Sequence, residues 1–218
     1  MIVDLHIHTT ISGDSIITPD ILVPAAINAG LDGVCITEHG IEKSRIAEEL
    51  AKEFDFPVFG GMEASTEFGD ILIFGIDSYP RVIYKAAELV EFVKKAGGVL
   101  IAAHPFRNNF GRSTYKNSLS VDAACEHKIL QMVDTMETFN GWSTEEESAL
   151  CQEVSNTLGL NSTGGSDAHI PRQVGCCVTI FENRISDEAE FVKASKSGEF
   201  TAQDRRNPKQ KGPTNWFS

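Results

Sequence analysis

Short apolar runs alternate with longer amphipathic stretches along most of the 218-residue chain. Residues 2–7, 33–37, 57–62, 71–76, 99–103, 132–138, 160–164 and 174–181 are rich in β-branched or aromatic side chains and bounded by Gly, Asp or Asn, which predicts strands. Residues 19–29, 43–54, 82–96, 121–128, 144–158 and 187–197 carry helical periodicity. Several helix ends are punctuated. Thr18 precedes Pro19, an N-cap with proline at the first helical position. Gly30, Gly97 and Gly159 follow helical patterns, where left-handed C-caps are expected. Ser143 stands before Thr144 and three glutamates, which reads as a cap with acids at the positive helix end.

The strand–helix order predicts an α/β protein with a mostly parallel sheet covered by helices, either closed into a barrel or open and doubly wound. Residues 106–120 are polar and aperiodic, a long loop. Residues 198–218 are polar with Pro208 and Pro213, a surface tail that Trp216 and Phe217 could anchor. The expected division is a main domain over 1–200 and a C-terminal tail over 201–218, packed on the barrel or extending from it.

Composition narrows the function classes. Hydrophobic residues at 41% and charged residues at 23% support a sizeable core and exclude global disorder. A formal charge of −12 disfavours long nucleic acid and anionic membranes as partners. Carboxylates that ligate metal do not act as free charge, so the mouth of a site can still be positive. Five cysteines, an odd number without a CxxC pair, fit a reducing compartment. The start MIVDLHIHTT lacks a basic segment followed by a long apolar run, and no apolar run approaches the ~20 residues of a membrane span. The expectation is a soluble, cytoplasmic protein of open oligomeric state.

Histidines carry the chemical signal. His6, His8, His39, His104 and His169 fall at or just after predicted strand ends, and Asp4, Asp14, Glu38, Glu63 and Asp167 cluster at the same places. In a parallel barrel those ends converge on one face, where active sites form. His6 and His8, two apart on a strand, point the same way and can grip one metal ion; hydrogen-bonded interior histidines fit the local pattern equally well. Glu63 is either a bridge between two cations or a cap on the next segment. His104 ends GGVLIAAHP as a ligand or a satisfied structural histidine. GGSDAH, residues 164–169, displays Asp167 and His169 at a glycine turn. His127, between Glu126 and Lys128, reads as a helical surface residue.

In this order, DLHIHT (4–9), TEH (37–39), GMEAS around Glu63, AHPFR (103–107), ETFNG (137–141) and GGSDAH resemble the PHP (polymerase and histidinol phosphatase) superfamily. The motifs span residues 4 to 169, and the ordered set is more specific than any one of them. The resemblance implies a distorted seven-stranded (β/α) barrel holding two or three divalent ions (Zn, Mn, Fe or Mg). It places His6, His8, Glu63 and Asp167 on the first ion, Glu63 and His104 on the second, and Asp14, His39 and His169 on the third. Some relatives have histidine where Asp14 stands; aspartate is an acceptable hard ligand. Some also supply another histidine to the second ion from the strand that here reads ILIFGID, and this run has none.

The implied function is a metal-dependent phosphoesterase acting on a small phosphomonoester, a nucleotide or phosphorylated metabolite, with a metal-bound hydroxide as nucleophile. Asp167 or His169 would manage protons. Arg107, Arg172 and, more weakly, Arg112 are candidates for phosphate oxygens, each equally readable as a solvated surface arginine. Asn140 could orient substrate or a ligand, or simply form a turn before Gly141. Alternatives are a short-oligonucleotide exonuclease or nucleotide phosphatase, a hydrolase of a non-phosphate bond, and a catalytically silent metal-binding regulatory module.

Overall fold

The computed structural model describes residues 1–40, 43–78, 85–107 and 119–207. Its strands are β1 (Ile2–Asp4), β2 (Gly33–His39), β3 (Val58–Thr66), β4 (Gly69–Phe74), β5 (Val99–Ala102), β6 (Thr135–Asn140), β7 (Asn161–Gly165), β8 (Cys177–Phe181) and β9 (Phe200–Asp204). The helices are α1 (Pro19–Asn28), α2 (Ile46–Phe54), α3 (Ala86–Ala96), α4 (Val121–Cys125), α5 (Glu145–Leu158) and α6 (Glu188–Ser197).

All nine strands join one sheet in the order β7-β6-β5-β4-β3-β2-β1-β8-β9. The sheet curls until it nearly closes. Thr179 Oγ1 on β8 donates to the Gly164 carbonyl and accepts from its amide, tying β8 to β7. Beyond β1, Ile7 bridges Ala168 in parallel. The sheet is mixed rather than mostly parallel: β4 runs antiparallel to both β3 and β5, and β8 to both β1 and β9. The turn between β3 and β4 is too short to hold the helix that a parallel crossover needs, so β4 must reverse. Among the described residues the sheet has nine strands where seven were expected.

Alternation along the strands sorts the side chains. Cys35, Phe59, Leu72, Phe74, Val99 and Ile101 face inward as one cluster. Met62, Ile71, Ile73, Leu100 and Met136 face outward beneath Leu89, Val93, Leu150 and Val154 of α3 and α5. Val34, Ile36 and Val58 do the same beneath α1 and α2. Phe191 of α6 closes the interior at the end where β3 starts and β4 finishes. Its ring stacks on Phe59 at 4.7 Å and meets Phe74 edge-on at 5.0 Å. The opposite end is left for the polar residues.

Helix boundaries follow the sequence closely, with particular exceptions. The α5 cap is Thr144, not Ser143: Thr144 Oγ1 accepts from the Glu147 amide while the Glu147 carboxylate accepts from the Thr144 amide. Gly97 and Gly159 take the left-handed C-cap conformation. Phe200–Asp204, read as the start of a polar tail, pairs with β8 along its length, so the sheet continues past residue 200. His127 leaves the helix: α4 ends at Cys125, and His127 is half-buried before a 3-10 turn, its ring edge-on to Phe106. Most of the polar loop after Arg107, with Arg112, and the stretch with Pro208, Pro213, Trp216 and Phe217 lie outside the described residues. Among the described residues no helix is long and apolar enough to cross a membrane. All five cysteines are free.

Candidate metal centre

Each predicted metal-ligating side chain reaches the same end of the barrel. After β1 the chain stays extended. Ile7 turns into the cluster under α1, so His6 and His8 on either side of it point the other way, into the mouth. β2 ends on His39, whose register partner on β3 is Glu63. His104 follows β5 and Asp167 follows β7. Both adopt positive φ, 31° and 52°, a conformation unfavourable for residues with a Cβ. Such backbone strain is held where a side chain must be aimed.

The innermost set is tight. His6 Nε2 and His8 Nε2 are 3.1 Å apart. Glu63 Oε2 lies 3.4 Å from the first and 3.2 Å from the second. Asp167 Oδ1 lies 3.5 and 3.3 Å from them. A tetrahedral ion with ligands at about 2.0–2.1 Å imposes ligand–ligand edges of about 3.3–3.4 Å. The two imidazole nitrogens stand at about that spacing from each other and from each carboxylate oxygen, as donors to one divalent cation would.

Two further groups share atoms with the first. Glu63 turns its other oxygen, Oε1, to His104 Nε2 at 3.0 Å. On the far side Asp14 Oδ2 lies 3.0 Å from His39 Nε2 and 3.3 Å from His169 Nε2, with His8 close enough to share a cation. The eight residues expected to ligate are thus brought together. A fourth association, Glu63 and His104 with Asp70, has no counterpart in the sequence reading.

Behind the ligands sits a layer of acceptors that fixes tautomers. A carboxylate can only accept, so His6 Nδ1 donates to Glu137 Oε1 at 3.2 Å and leaves Nε2 bare for metal. Ser12 Oγ donates to Glu38, so it accepts from His8 Nδ1 at 3.1 Å. His169 Nδ1 donates to the Asp167 carbonyl at 2.8 Å. Asp4, from the DLHIHT motif, is no ligand: buried, it accepts from the amides of His6, Ser166 and Gly175. Burial outweighs those bonds and lifts its carboxyl to about 6.

Charge in the cluster is strongly coupled. Burial pulls His6 and His8 down, yet the facing carboxylates Asp167 and Glu63 outweigh it and hold both above the ordinary histidine value. The Glu63 hydrogen bond lifts His39 to about 9. Burial acts against the charged form of Asp167, but His6 and Arg107 prevail and keep it well below the usual carboxylate range.

The substrate candidates separate. Arg107 enters the mouth, where its guanidinium pairs with Asp167 Oδ2 and approaches His104 Nε2 at 3.0 Å. Arg172 is exposed on the 3-10 turn Pro171–Gln173. Asn140 is buried with both amide ends engaged: Nδ2 donates to Glu137 Oε2, and Oδ1 accepts from the Trp142 amide. It supports the acceptor layer instead of facing a ligand. The mouth opens into a cleft of about 650 Å³ lined by Asp14, His39, Asp70, Arg107 and His169, with Ile16, Trp142 and Ile170 as an apolar wall. Trp142, unremarked in the sequence, is held by a hydrogen bond from its indole to the Asp167 carbonyl.

The histidines and carboxylates gathered at one mouth of a mixed α/β barrel form a candidate cation-binding centre, and the chain has relatives of known sequence and structure. A PHP-associated family model matches residues 147–200. The uncharacterized protein MJ1587 of Methanocaldococcus jannaschii is 33% identical over 115 residues, covering 47% of this chain and 67% of that protein. Three solved structures share the fold. PsfC of Pseudomonas syringae superposes with a TM-score of 0.63 at 19% identity, over 99% of this chain and 94% of its own. A two-domain Bacteroides vulgatus protein, described as containing a predicted PHP-like metal-dependent phosphoesterase, gives 0.70 at 17% identity, over 94% of this chain and 64% of its own. A Chromobacterium violaceum amidohydrolase with bound sulfate and no metal gives 0.64 at 16% identity, over 94% of this chain and 98% of its own. The chain thus carries a PHP-associated segment and shares its fold with a structure described as PHP-like.

Proposed function

We propose that this protein is a phosphoesterase that removes phosphate from a small phosphomonoester, a nucleotide or phosphorylated metabolite, with divalent cations held at the barrel mouth. The carrying observation is the innermost donor set, whose 3.1–3.5 Å spacings match the edges of a tetrahedral ion. His6, His8, Glu63 and Asp167 would hold one cation, Glu63 and His104 a second, and Asp14, His39 and His169 a third. When bound, the cations acidify water and screen phosphoryl charge.

The remaining steps belong to this chain's residues. Arg107 stands at the mouth and, released from Asp167 by a competing cation, can fork onto phosphate oxygens. Arg172 is too far out on the exposed turn to be a first choice. The organic part of the substrate rests on Ile16, Trp142 and Ile170, which exclude water from one side of the cleft. Asp167, kept ionised, is suited to ligation rather than to donating a proton. The sulfate in the Chromobacterium relative supports the reading, because sulfate shares the tetrahedral oxyanion shape of phosphate.

That relative is called an amidohydrolase, which favours one rival: hydrolysis of an amide or ester carbonyl on the same centre. A panel of phosphomonoesters, dinucleotides, amides and carboxylic esters, assayed with Mn²⁺ and after chelation, separates them. Chelator-sensitive phosphate release is expected, with at least a thousandfold loss in His8→Ala and Asp167→Ala at retained fold. Turnover confined to the amides or carboxylic esters would refute the phosphatase reading.

A further inference from the structure

We propose that Asp70 is the third protein ligand of the second cation, and that its carboxylate narrows that position's preference for Zn²⁺ over Mn²⁺. The proposal rests on the metal reading above and supplies the ligand that position lacked, since the strand ILIFGID offers no histidine. β4 runs opposite to β3 and β5, so its first residues, not its last, lie at the mouth. Leu72 pairs across β3 with Glu63 and faces inward. Asp70, two residues earlier, shares that face. The Ala103 amide donates to the Asp70 carbonyl at 3.0 Å, which fixes the strand beside the His104 turn. Ligand atoms of Asp70, Glu63 and His104 all lie within 4.8 Å of one another. Asp70 lines the cleft, and among the described residues no donor is paired with its carboxylate.

The donor set decides the chemistry. The innermost cation would have two imidazoles and two carboxylates; the second would have one imidazole and two carboxylates. Imidazole favours Zn²⁺, whereas carboxylate and water suit Mn²⁺ and Mg²⁺. Replacing the imidazole other relatives provide by Asp70 therefore lowers discrimination against Mn²⁺ without removing the site.

The test is Mn²⁺ titration of the metal-stripped full-length protein, followed by electron paramagnetic resonance, with Zn²⁺ competition read by elemental analysis. Asp70→Ala should lose one Mn²⁺ equivalent or weaken it at least tenfold while the other equivalents are unchanged. Asp70→His should keep the equivalent and shift its Zn²⁺/Mn²⁺ preference tenfold or more toward Zn²⁺. Asp70→Asn, nearly isosteric, repeats the first measurement should the alanine variant fold poorly. Wild-type stoichiometry and affinity in both Asp70→Ala and Asp70→Asn would overturn the proposal and leave the metal reading standing. A wild-type protein that takes up no Mn²⁺ at all would overturn both.

Discussion

Glu137 stands in none of the candidate cation-binding groups among the described residues, yet three parts of the centre depend on its carboxylate. His6 Nδ1, the His104 amide and Asn140 Nδ2 all donate to it. Its replacement by Gln keeps the volume and one acceptor oxygen but puts an NH₂ where a donor now points. Outer partners of metal-bound histidine are worth 10–100-fold in metal affinity. Glu137→Gln is therefore expected to weaken cation binding by about that factor with the fold intact, measured by calorimetric titration. Unchanged affinity would show that His6 needs no oriented tautomer. The candidate ligands that the fold gathers were legible in the sequence because each is a histidine or acid close to an apolar run. Glu137 was visible within ETFNG, but nothing local distinguishes an acid that orients a ligand from one that ligates. The local sequence likewise left open whether Asn140 orients a ligand or forms a turn, and its amide, bonded to Glu137 and to the Trp142 amide, does something of both.

At the level of elements, strands and helices were legible where periodicity is local, and direction was not. Reading every strand end as a mouth residue works for β2, β5 and β7, and it fails for β4, whose reversal moves Asp70 into the site. β9 was missed because FTAQD alternates buried and exposed residues with little apolar content. Close packing of β7 against its neighbours gives a sharper test. An added Cβ at Gly165 would lie 2.5 Å from both Glu137 Oε1 and His6 Cβ. Both atoms belong to the support of the first cation, so relief must move one of them. Gly165→Ala is expected to cost about 1–3 kcal/mol of stability, as overpacking does, and to lower cation affinity at least tenfold. Thr144→Ala, which removes one bond of the α5 capping box, should cost about 1 kcal/mol and leave cation binding unchanged. Denaturant melts with paired metal titrations distinguish the two. Equal metal affinity in both variants would deny the link between β7 packing and the centre.

Across the whole molecule, the proposed centre would act as a crosslink between strands distant in sequence. Its candidate ligands follow or belong to β1, β2, β3, β5 and β7, so cations bound there would tie together most of the nearly closed sheet. Ligands that bind only the folded chain stabilise it by mass action: each tenfold rise in free cation above Kd adds about 1.4 kcal/mol per site. For a chain of this size that corresponds to roughly 3–6 °C in Tm. The pH dependence differs between the two forms. Without cations, His6, His8 and His39 are held protonated above their ordinary value by facing carboxylates. Their contribution is full below an unfolded-state pKa of about 6.5 and is lost as pH rises, through about 9 for His39. Metal must displace those protons, so its affinity rises over the same interval. The gap in Tm between loaded and chelated protein is therefore expected to widen from pH 6 to pH 8.5, with the chelated form losing stability as the loaded form keeps it. Scanning calorimetry with Mn²⁺ and with excess chelator measures both curves. A gap that stays constant with pH would mean that the imidazoles do not exchange protons for cations, and a Tm insensitive to chelator would mean that the strands are held by packing alone.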